Sequence, residues 1–321
     1  MKMETTLSNM KPVCLDLSEC NGLGDLICAT PTIKKLHDAY QRKLIVISKM
    51  PELFKMNPYV EKSYKADSID RDYFKANYIM HNSFYLVGKK DERGIEMKHN
   101  MMDIRQFHAI HLGFMLSKYD MECFYRPTEQ QVNPIKGKYI VIHPVNSWPN
   151  RTWSQDNWNK LAEQLLELGY NVVAVGKDSS ETGFFNVQKP VHEMGNANII
   201  NLMNKTSISE TWYLLNGAEA VITMDSGILH LAATTETLIF ELGSPINPEF
   251  RTPYRYGEQG WRHKYIGGGC GLHCSSNMKY ALEYWPTIDY VQPLIGCLEK
   301  KETFECHPSV DQVMNEIKTY L

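Results

Sequence analysis

The sequence predicts an α/β protein of parallel sheets arranged as two domains, and three observations carry that prediction. Val221-Ile-Thr-Met-Asp225-Ser226-Gly227 takes an apolar run into a polar turn. An Ala- and Leu-rich stretch through His230 follows, and a second apolar run, Leu238 to Leu242, closes at Gly243-Ser-Pro245. That order is strand, turn, helix, strand, the βαβ unit of a parallel sheet. Short apolar runs alternate with helical periodicities through both halves of the chain, the pattern of α/β folds. Between the halves, Gln130-Gln-Val-Asn-Pro-Ile-Lys-Gly-Lys138 is polar and turn-rich, and 321 residues with 43% hydrophobic content suit two buried cores.

Taken in order, Pro12-Val-Cys-Leu-Asp-Leu17 is the first strand. It runs into Ser18-Glu-Cys-Asn21-Gly22-Leu-Gly24-Asp25, a strand-to-helix turn whose glycines let backbone approach closely and leave Asp25 to project from the sheet edge. A helix starts at Thr30-Pro31, with Ile33, Leu36 and Tyr40 on one face. Lys43 to Ser48 is the next strand, and Asn57-Pro-Tyr-Val60 turns into another. His99 to Ser117 has helical spacing, which completes a first domain. Asp70-Arg-Asp72 sits in a polar stretch with no strand before it and reads as surface charge. His108 and His111 share a helix face without a visible third ligand, so they read as structural rather than metal-binding.

In the second half, Tyr139-Ile-Val-Ile-His143 is a strand opening into Pro144-Val-Asn146-Ser147-Trp148-Pro-Asn-Arg151-Thr-Trp153. The helix Asp156 to Leu168 follows, with Leu161, Leu165 and Leu168 on one face and Gly169 as its stop. Asn171 to Val175 is a strand running into Gly176 and Lys177 and a polar stretch with Glu181. Ser207-x-x-Glu210 is a capping box opening a helix to Gly217. In a parallel sheet, the loops Asn146–Trp153, Gly176–Glu181 and Asp225–Gly227 share the carboxyl edge, where ligands bind and helix N-termini point. The competing reading of the last loop is local: Asp225 or Ser226 as a helix cap and His230 as a packed helix residue.

A net charge of -3 offers polyanions no general attraction, so nucleic acid is not an expected partner. The first ten residues lack an apolar signal core and no run approaches bilayer length, from which a cytoplasmic location is expected. Eight cysteines in 321 residues are too sparse for a disulfide scaffold, and Cys14, Cys20 and Cys28 read as reduced thiols. Gly22-x-Gly24 has no third glycine and no acidic residue closes the following strand, which disfavours a nicotinamide dehydrogenase.

Four motifs occur together and in order. They are Asn21-Gly-Leu-Gly-Asp25-Leu-Ile-x-Ala-Thr-Pro31, Asn57-Pro-Tyr-Val60, His143-Pro-x-Asn-Ser147 with Arg151-x-Trp153, and Asp225-Ser-Gly-x-x-His230-Leu-Ala-Ala. Over residues 12 to 320 the chain resembles family nine glycosyltransferases, the ADP-heptose:lipopolysaccharide heptosyltransferase group. The resemblance implies a GT-B fold: an acceptor-binding Rossmann-like domain over residues 1–136, a nucleotide-sugar-binding one over 137–307, and a central cleft between them. It implies further that a helix over 308–321, with Val310, Val313, Ile317 and Leu321 on its apolar face, packs back on the N-terminal domain. Transfer would invert the sugar with no required cofactor or metal. Asp25 would be the base, Arg151 the clamp on the diphosphate, and Asp225, Ser226, Gly227 and His230 donor contacts. By position, Asn146, Ser147, Gly176, Lys177 and Glu181 join the donor side, and Asn21, Gly22 and Gly24 form the acceptor-side loop.

The donor implied is an ADP-sugar and the acceptor a cell-envelope glycan or glycolipid, which leaves open a peripheral association with the inner membrane. The first half carries many Tyr, Met and His where relatives acting on a phosphorylated lipid carry basic residues, so the acceptor is not fixed by the resemblance. Arg151 stands where relatives often have lysine and adds a planar fork suited to phosphate. Cys270, Cys274, Cys297 and Cys306 resemble a cysteine cluster near the end of many members; as a zinc site their spacing is poor, and packed thiols are the plainer reading. The alternative function is a nucleotide-sugar-binding protein that has lost the chemistry, or a glycosyltransferase with another donor or acceptor.

Overall fold

The computed structural model describes residues 11–83, 102–145, 149–177, 198–277, 297 and 304–321. Its first sheet has the order β3-β2-β1-β4, from β1 (Val13–Asp16), β2 (Leu44–Ser48), β3 (Val60–Lys65) and β4 (Ile79–Asn82), all parallel. The central strands β1 and β2 are buried along their whole length, as expected of continuous apolar runs covered on both faces. Helix α1 (Leu23–Cys28) leaves the turn after β1, and α2 (Thr30–Tyr40) restarts directly behind it. Thr30 does not cap α2; Ala29 holds that position and the Thr30 hydroxyl donates to the Ile27 carbonyl at 2.7 Å.

Helix α3 (Arg71–Asn77) begins within the Asp-Arg-Asp stretch. Asp70 caps it by accepting from the Asp72 and Tyr73 amides, while Arg71 reaches back to buried Asp16 at 2.6 Å. The stretch is therefore a helix start with one structural ion pair. Helix α4 (Ile104–Ile110) carries His108, wholly buried, and His111 caps its C-terminal end.

The second sheet is parallel with the order β12-β9-β8-β5-β6-β7, built from β5 (Tyr139–His143), β6 (Asn171–Ala174), β7 (Ile200–Asn201), β8 (Ala220–Met224), β9 (Leu238–Leu242) and β12 (His263–Ile266). A small antiparallel hairpin, β10 (Tyr254–Arg255) with β11 (Glu258–Gln259), stands between β9 and β12. Helices α5 (Gln155–Glu167), α6 (Ile208–Asn216) and α7 (Gly227–Ala232) are capped by Ser154, Ser207 and Ser226, and α6 has the full capping box. Leu161 and Leu165 of α5 are buried, whereas Leu168, expected on the same face, lies past the helix end and is exposed.

The C-terminal helix α8 (Val310–Tyr320) corrects one expectation. It packs on the second domain, against α5 and β12, and among the described residues the core it joins is built from the second domain and not from the first. Val310, Val313, Met314 and Ile317 join the core that α5 forms with one face of the second sheet, and the Trp153 indole donates to the Pro308 carbonyl at 2.9 Å. That face needs a second helix to exclude water, and α8 supplies it. The other face of the second sheet shares a continuous core with the first domain, running from Val13 and Leu26 to Leu229 and Ile239. Among the described residues, no helix is long and apolar enough to cross a membrane.

Candidate active site

The two domains meet where α1 crosses α7, each helix following the carboxyl end of a central strand. Glycine makes the crossing possible. A Cβ on Gly24 would stand 2.8 Å from the His230 ring, and one on Gly227 would stand 3.0 Å from the Leu23 Cβ. A Cβ on Gly22 would meet the Asp25 carboxylate at 2.5 Å. These glycines therefore bring Asp25 of the first domain to the edge of the second sheet beside Asp225 and His230.

Asp225 follows β8, the strand flanked by β5 and β9. From the β5 side, the short 3-10 turn Pro149–Arg151 carries Arg151, whose Nη1 donates to Asp225 Oδ2 at 2.8 Å. From the β9 side, Arg251 brings its Nε to 3.4 Å from the same oxygen, and its Nη1 donates to the Phe250 carbonyl at 3.0 Å. Asp225 and Arg251 are each only 2% exposed. Burial raises the Asp225 carboxyl, but Arg151 and Arg251 more than offset this and hold it down at about 2. Burial drives the His230 imidazole down to about 3 despite nearby Asp225, so it is neutral at ordinary pH. Its Nε2 lies 4.0 Å from Asp225 Oδ1, too far for a hydrogen bond.

Asp25 is shifted the other way. Burial pushes its carboxyl up to about 6; Arg251, Arg151 and a hydrogen bond from the Gly22 amide pull it down, and Asp225 repels it. Two carboxylates in one site thus titrate far apart, a pattern that separates an acid–base group from a fixed charge. His108 lies behind the turn that carries Asp25. Its Nδ1 is 2.7 Å from the Ser83 hydroxyl, and burial lowers the imidazole to about 4. This agrees with a structural reading of the His108 and His111 pair.

Asp25, Arg151, Asp225, Gly227 and His230 come together. Ser226 caps α7, accepting from the Ile228 amide at 3.2 Å, and its hydroxyl lies 3.3 Å from the His143 ring. Gly176 packs against His143, where a Cβ would stand 2.9 Å from the ring, and its φ of +144° suits glycine. Lys177 is exposed just beyond it, and Asn21 is exposed and accepts from the Lys49 ammonium. Asn146, Ser147 and Glu181 lie outside the described residues. Arg251 was not expected from the sequence. Only its place one loop after β9, at the ligand-bearing edge, could have signalled it.

Cys270, Cys274, Cys297 and Cys306 line one pocket with Asn150 and His273, behind the turn that carries Arg151. Burial and the neighbouring thiols push Cys306 up to about 12. Thiolates suit a soft metal ion, yet among the described residues no three His, Cys, Asp or Glu side chains converge closely enough to hold one.

Residues 96–265, just over half of the chain, match the model of glycosyltransferase family 9 (heptosyltransferase). The chain is 30% identical over 105 residues to lipooligosaccharide heptosyltransferase 2 of Haemophilus influenzae, covering 33% of this chain and 30% of that protein. It is 24% identical over 149 residues to lipopolysaccharide heptosyltransferase 1 of Pseudomonas aeruginosa, covering 46% and 39%. The matches thus span well under half the length of these curated relatives. Among solved structures, TibC, an iron-containing dodecameric glycosyltransferase of enterotoxigenic E. coli H10407, superposes with a TM-score of 0.71 at 17% identity, over 97% of this chain and 76% of TibC. TibC is also known in complex with ADP-D-beta-D-heptose. The ADP-heptose lps heptosyltransferase II of E. coli superposes with a TM-score of 0.56 at 16% identity, over 86% of this chain and 98% of that one. The fold is GT-B.

Proposed function

The chain belongs to glycosyltransferase family 9, the heptosyltransferases, and from that membership we propose that it transfers a heptose-like sugar from an ADP-linked donor to a hydroxyl of a cell-envelope glycan or glycolipid. The observation that carries this reading is the meeting of Asp25, from the first domain, with Arg151 and Asp225, from the second, at the crossing of α1 and α7. A sugar transferase needs both halves of that arrangement: a proton acceptor for the attacking hydroxyl and cations for the departing diphosphate.

The acceptor hydroxyl gives its proton to Asp25 as its oxygen bonds to the anomeric carbon. The bond from that carbon to the diphosphate oxygen breaks on the opposite face, and one displacement inverts the sugar. Charge gathering on the diphosphate meets Arg151 and backbone N–H groups at the start of α7. Asp225 holds Arg151 in place before donor arrives, and neutral His230 offers a hydrogen bond without adding charge. The transfer is assigned to Asp25, Arg151 and backbone N–H groups, with no cofactor. TibC contains iron; in this chain the four cysteines behind the Arg151 turn stand outside the proposed transfer.

The test is a melting-temperature panel of ADP-, UDP- and GDP-sugars followed by a donor-hydrolysis assay. A donor present at 100 times its Kd stabilises the fold by about 2.7 kcal/mol. An ADP-sugar is expected to raise the melt and to be slowly hydrolysed. A shift by UDP- or GDP-sugars alone would overturn the donor assignment, and binding without hydrolysis or transfer would favour a nucleotide-sugar-binding protein.

A further inference from the structure

Arg105, in the first turn of α4, is 1% exposed and has no role in the reading above. A buried guanidinium is costly unless it is paired, and Asp103 pairs it. That carboxylate caps α4 by accepting from the Arg105 amide at 2.9 Å, and it also takes the guanidinium two-pronged, Nε at 2.7 Å and Nη2 beside it. The pair is therefore neutral, and its fork is fixed in direction. What it is directed at lies in the second domain: Nη2 also donates to the Thr252 carbonyl at 2.9 Å, and the guanidinium sits 4.8 Å from the centre of the Tyr254 ring. Thr252 closes the turn that carries Arg251, where the Pro248 carbonyl accepts from the Arg251 amide at 2.9 Å and from the Thr252 amide at 2.7 Å. Arg251 Nε in turn lies 3.4 Å from Asp225 Oδ2, the oxygen that takes Arg151 at 2.8 Å.

Resting on the transfer reading above, we propose that Arg105 is a positioning residue of the transfer site: from the acceptor-side domain it fixes the turn over residues 248–252, and through Arg251 and Asp225 it sets the place of Arg151, the clamp on the diphosphate. Each link is a contact. Asp103 holds Arg105, Arg105 holds the Thr252 carbonyl, and Arg251 and Arg151 share one oxygen of Asp225. The first domain grips the same segment again at Tyr256, whose amide donates to Glu122 at 2.9 Å. The other buried carboxylate close by, Glu241 of β9, is paired within the second sheet by His263 of β12 at 2.8 Å. Because Arg105 arrives already neutralised by Asp103, it acts by geometry. A turn freed from it carries Arg251 away from Asp225 and leaves the carboxylate that aims Arg151 less well fixed, and small misplacements of a clamp are costly.

The experiment compares the full-length wild type with the double variant Asp103→Asn, Arg105→Met, which keeps a helix cap and fills the space with an uncharged chain. Amide hydrogen exchange is followed over residues 248–256 and, as reference, over β5 and β8, and ADP affinity is measured by calorimetry. Amides of the turn are expected to exchange about tenfold or more faster while those of β5 and β8 keep their wild-type rates, and ADP is expected to bind about tenfold more weakly. Unchanged exchange in the turn, or equal acceleration in turn and sheet, would overturn the proposal, the second because it marks a general loss of stability. A loosened turn with wild-type ADP affinity would overturn it too, since the link to Arg151 would be broken. A wild type that does not bind ADP counts against the transfer reading instead, and exchange then decides whether Arg105 holds the turn. Should the double variant fail to fold, Arg105→Lys decides, since it keeps a charge beside Asp103 but loses the fork. Faster exchange confined to the turn then supports the proposal, and wild-type or uniformly faster exchange refutes it.

Discussion

At the scale of single residues, Asp25 and Asp225 are the same side chain put to different ends by surroundings. Asp225 lies between two guanidinia and stays ionised at any ordinary pH, whereas burial brings Asp25 to about 6. Its base form therefore fills as pH rises through about 6, and transfer is expected to climb through that range and level off above it. Asp25→Asn should bind donor nearly as the wild type does and lose on the order of 10² to 10⁴ in turnover. Steady-state rates over pH 4.5 to 8 provide the check. A wild-type rate in Asp25→Asn would move the base elsewhere. Asp25, Arg151 and Asp225 were legible because each lies in a motif at a strand's end. Arg251 was not, since one arginine in Pro248-Glu-Phe-Arg-Thr-Pro253 has no local pattern that separates a buried guanidinium from a surface one.

At the scale of elements, the crossing of α1 and α7 depends on side chains that are missing. Gly22-x-Gly24 has two distinct functions: Gly22 leaves room for the Asp25 carboxylate, and Gly24 leaves room for the His230 ring. Gly24→Ala must push His230 or the helix itself, at an overpacking cost of about 1–3 kcal/mol, and so should lower the melting temperature. Gly22→Ala meets only the carboxylate, and should disturb turnover more than stability. Paired melting and rate measurements separate the two, and a Gly24→Ala protein as stable as the wild type would refute the packing account. The sequence shows that these glycines sit in a strand-to-helix turn. It does not show that Gly24 meets Gly227 and His230, about two hundred residues away, because periodicity reports which face of a helix is apolar and not what covers that face.

At the scale of the whole molecule, both parallel sheets were readable, because a strand covered on both faces is a continuous apolar run such as Tyr139–His143 or Leu238–Leu242. The placement of α8 was not. Its Ser309-x-x-Gln312 box and apolar stripe mark a helix, yet either domain could have received that stripe. The structure joins it to α5, and this ties the C-terminus to the candidate site. The Pro308 carbonyl accepts from Trp153, and His307 Nε2 lies 2.8 Å from the Asn150 carbonyl, so the segment entering α8 braces both sides of the turn holding Arg151. Removing residues 308–321 would expose the core lined by Val313 and Ile317, each worth roughly 1.5–3 kcal/mol when fully buried. Against a typical domain stability of about 5–15 kcal/mol, that loss should lower the melting temperature sharply and reduce solubility. A milder change, Trp153→Phe, keeps an aromatic side chain in the core but removes the indole donor and leaves a cavity. It should lower the melt less than the truncation does, leave α8 in place, loosen the Arg151 turn and weaken donor affinity. If the truncated chain melts like the full chain, α8 does not complete this core. If Trp153→Phe binds donor normally, the turn is held by other contacts.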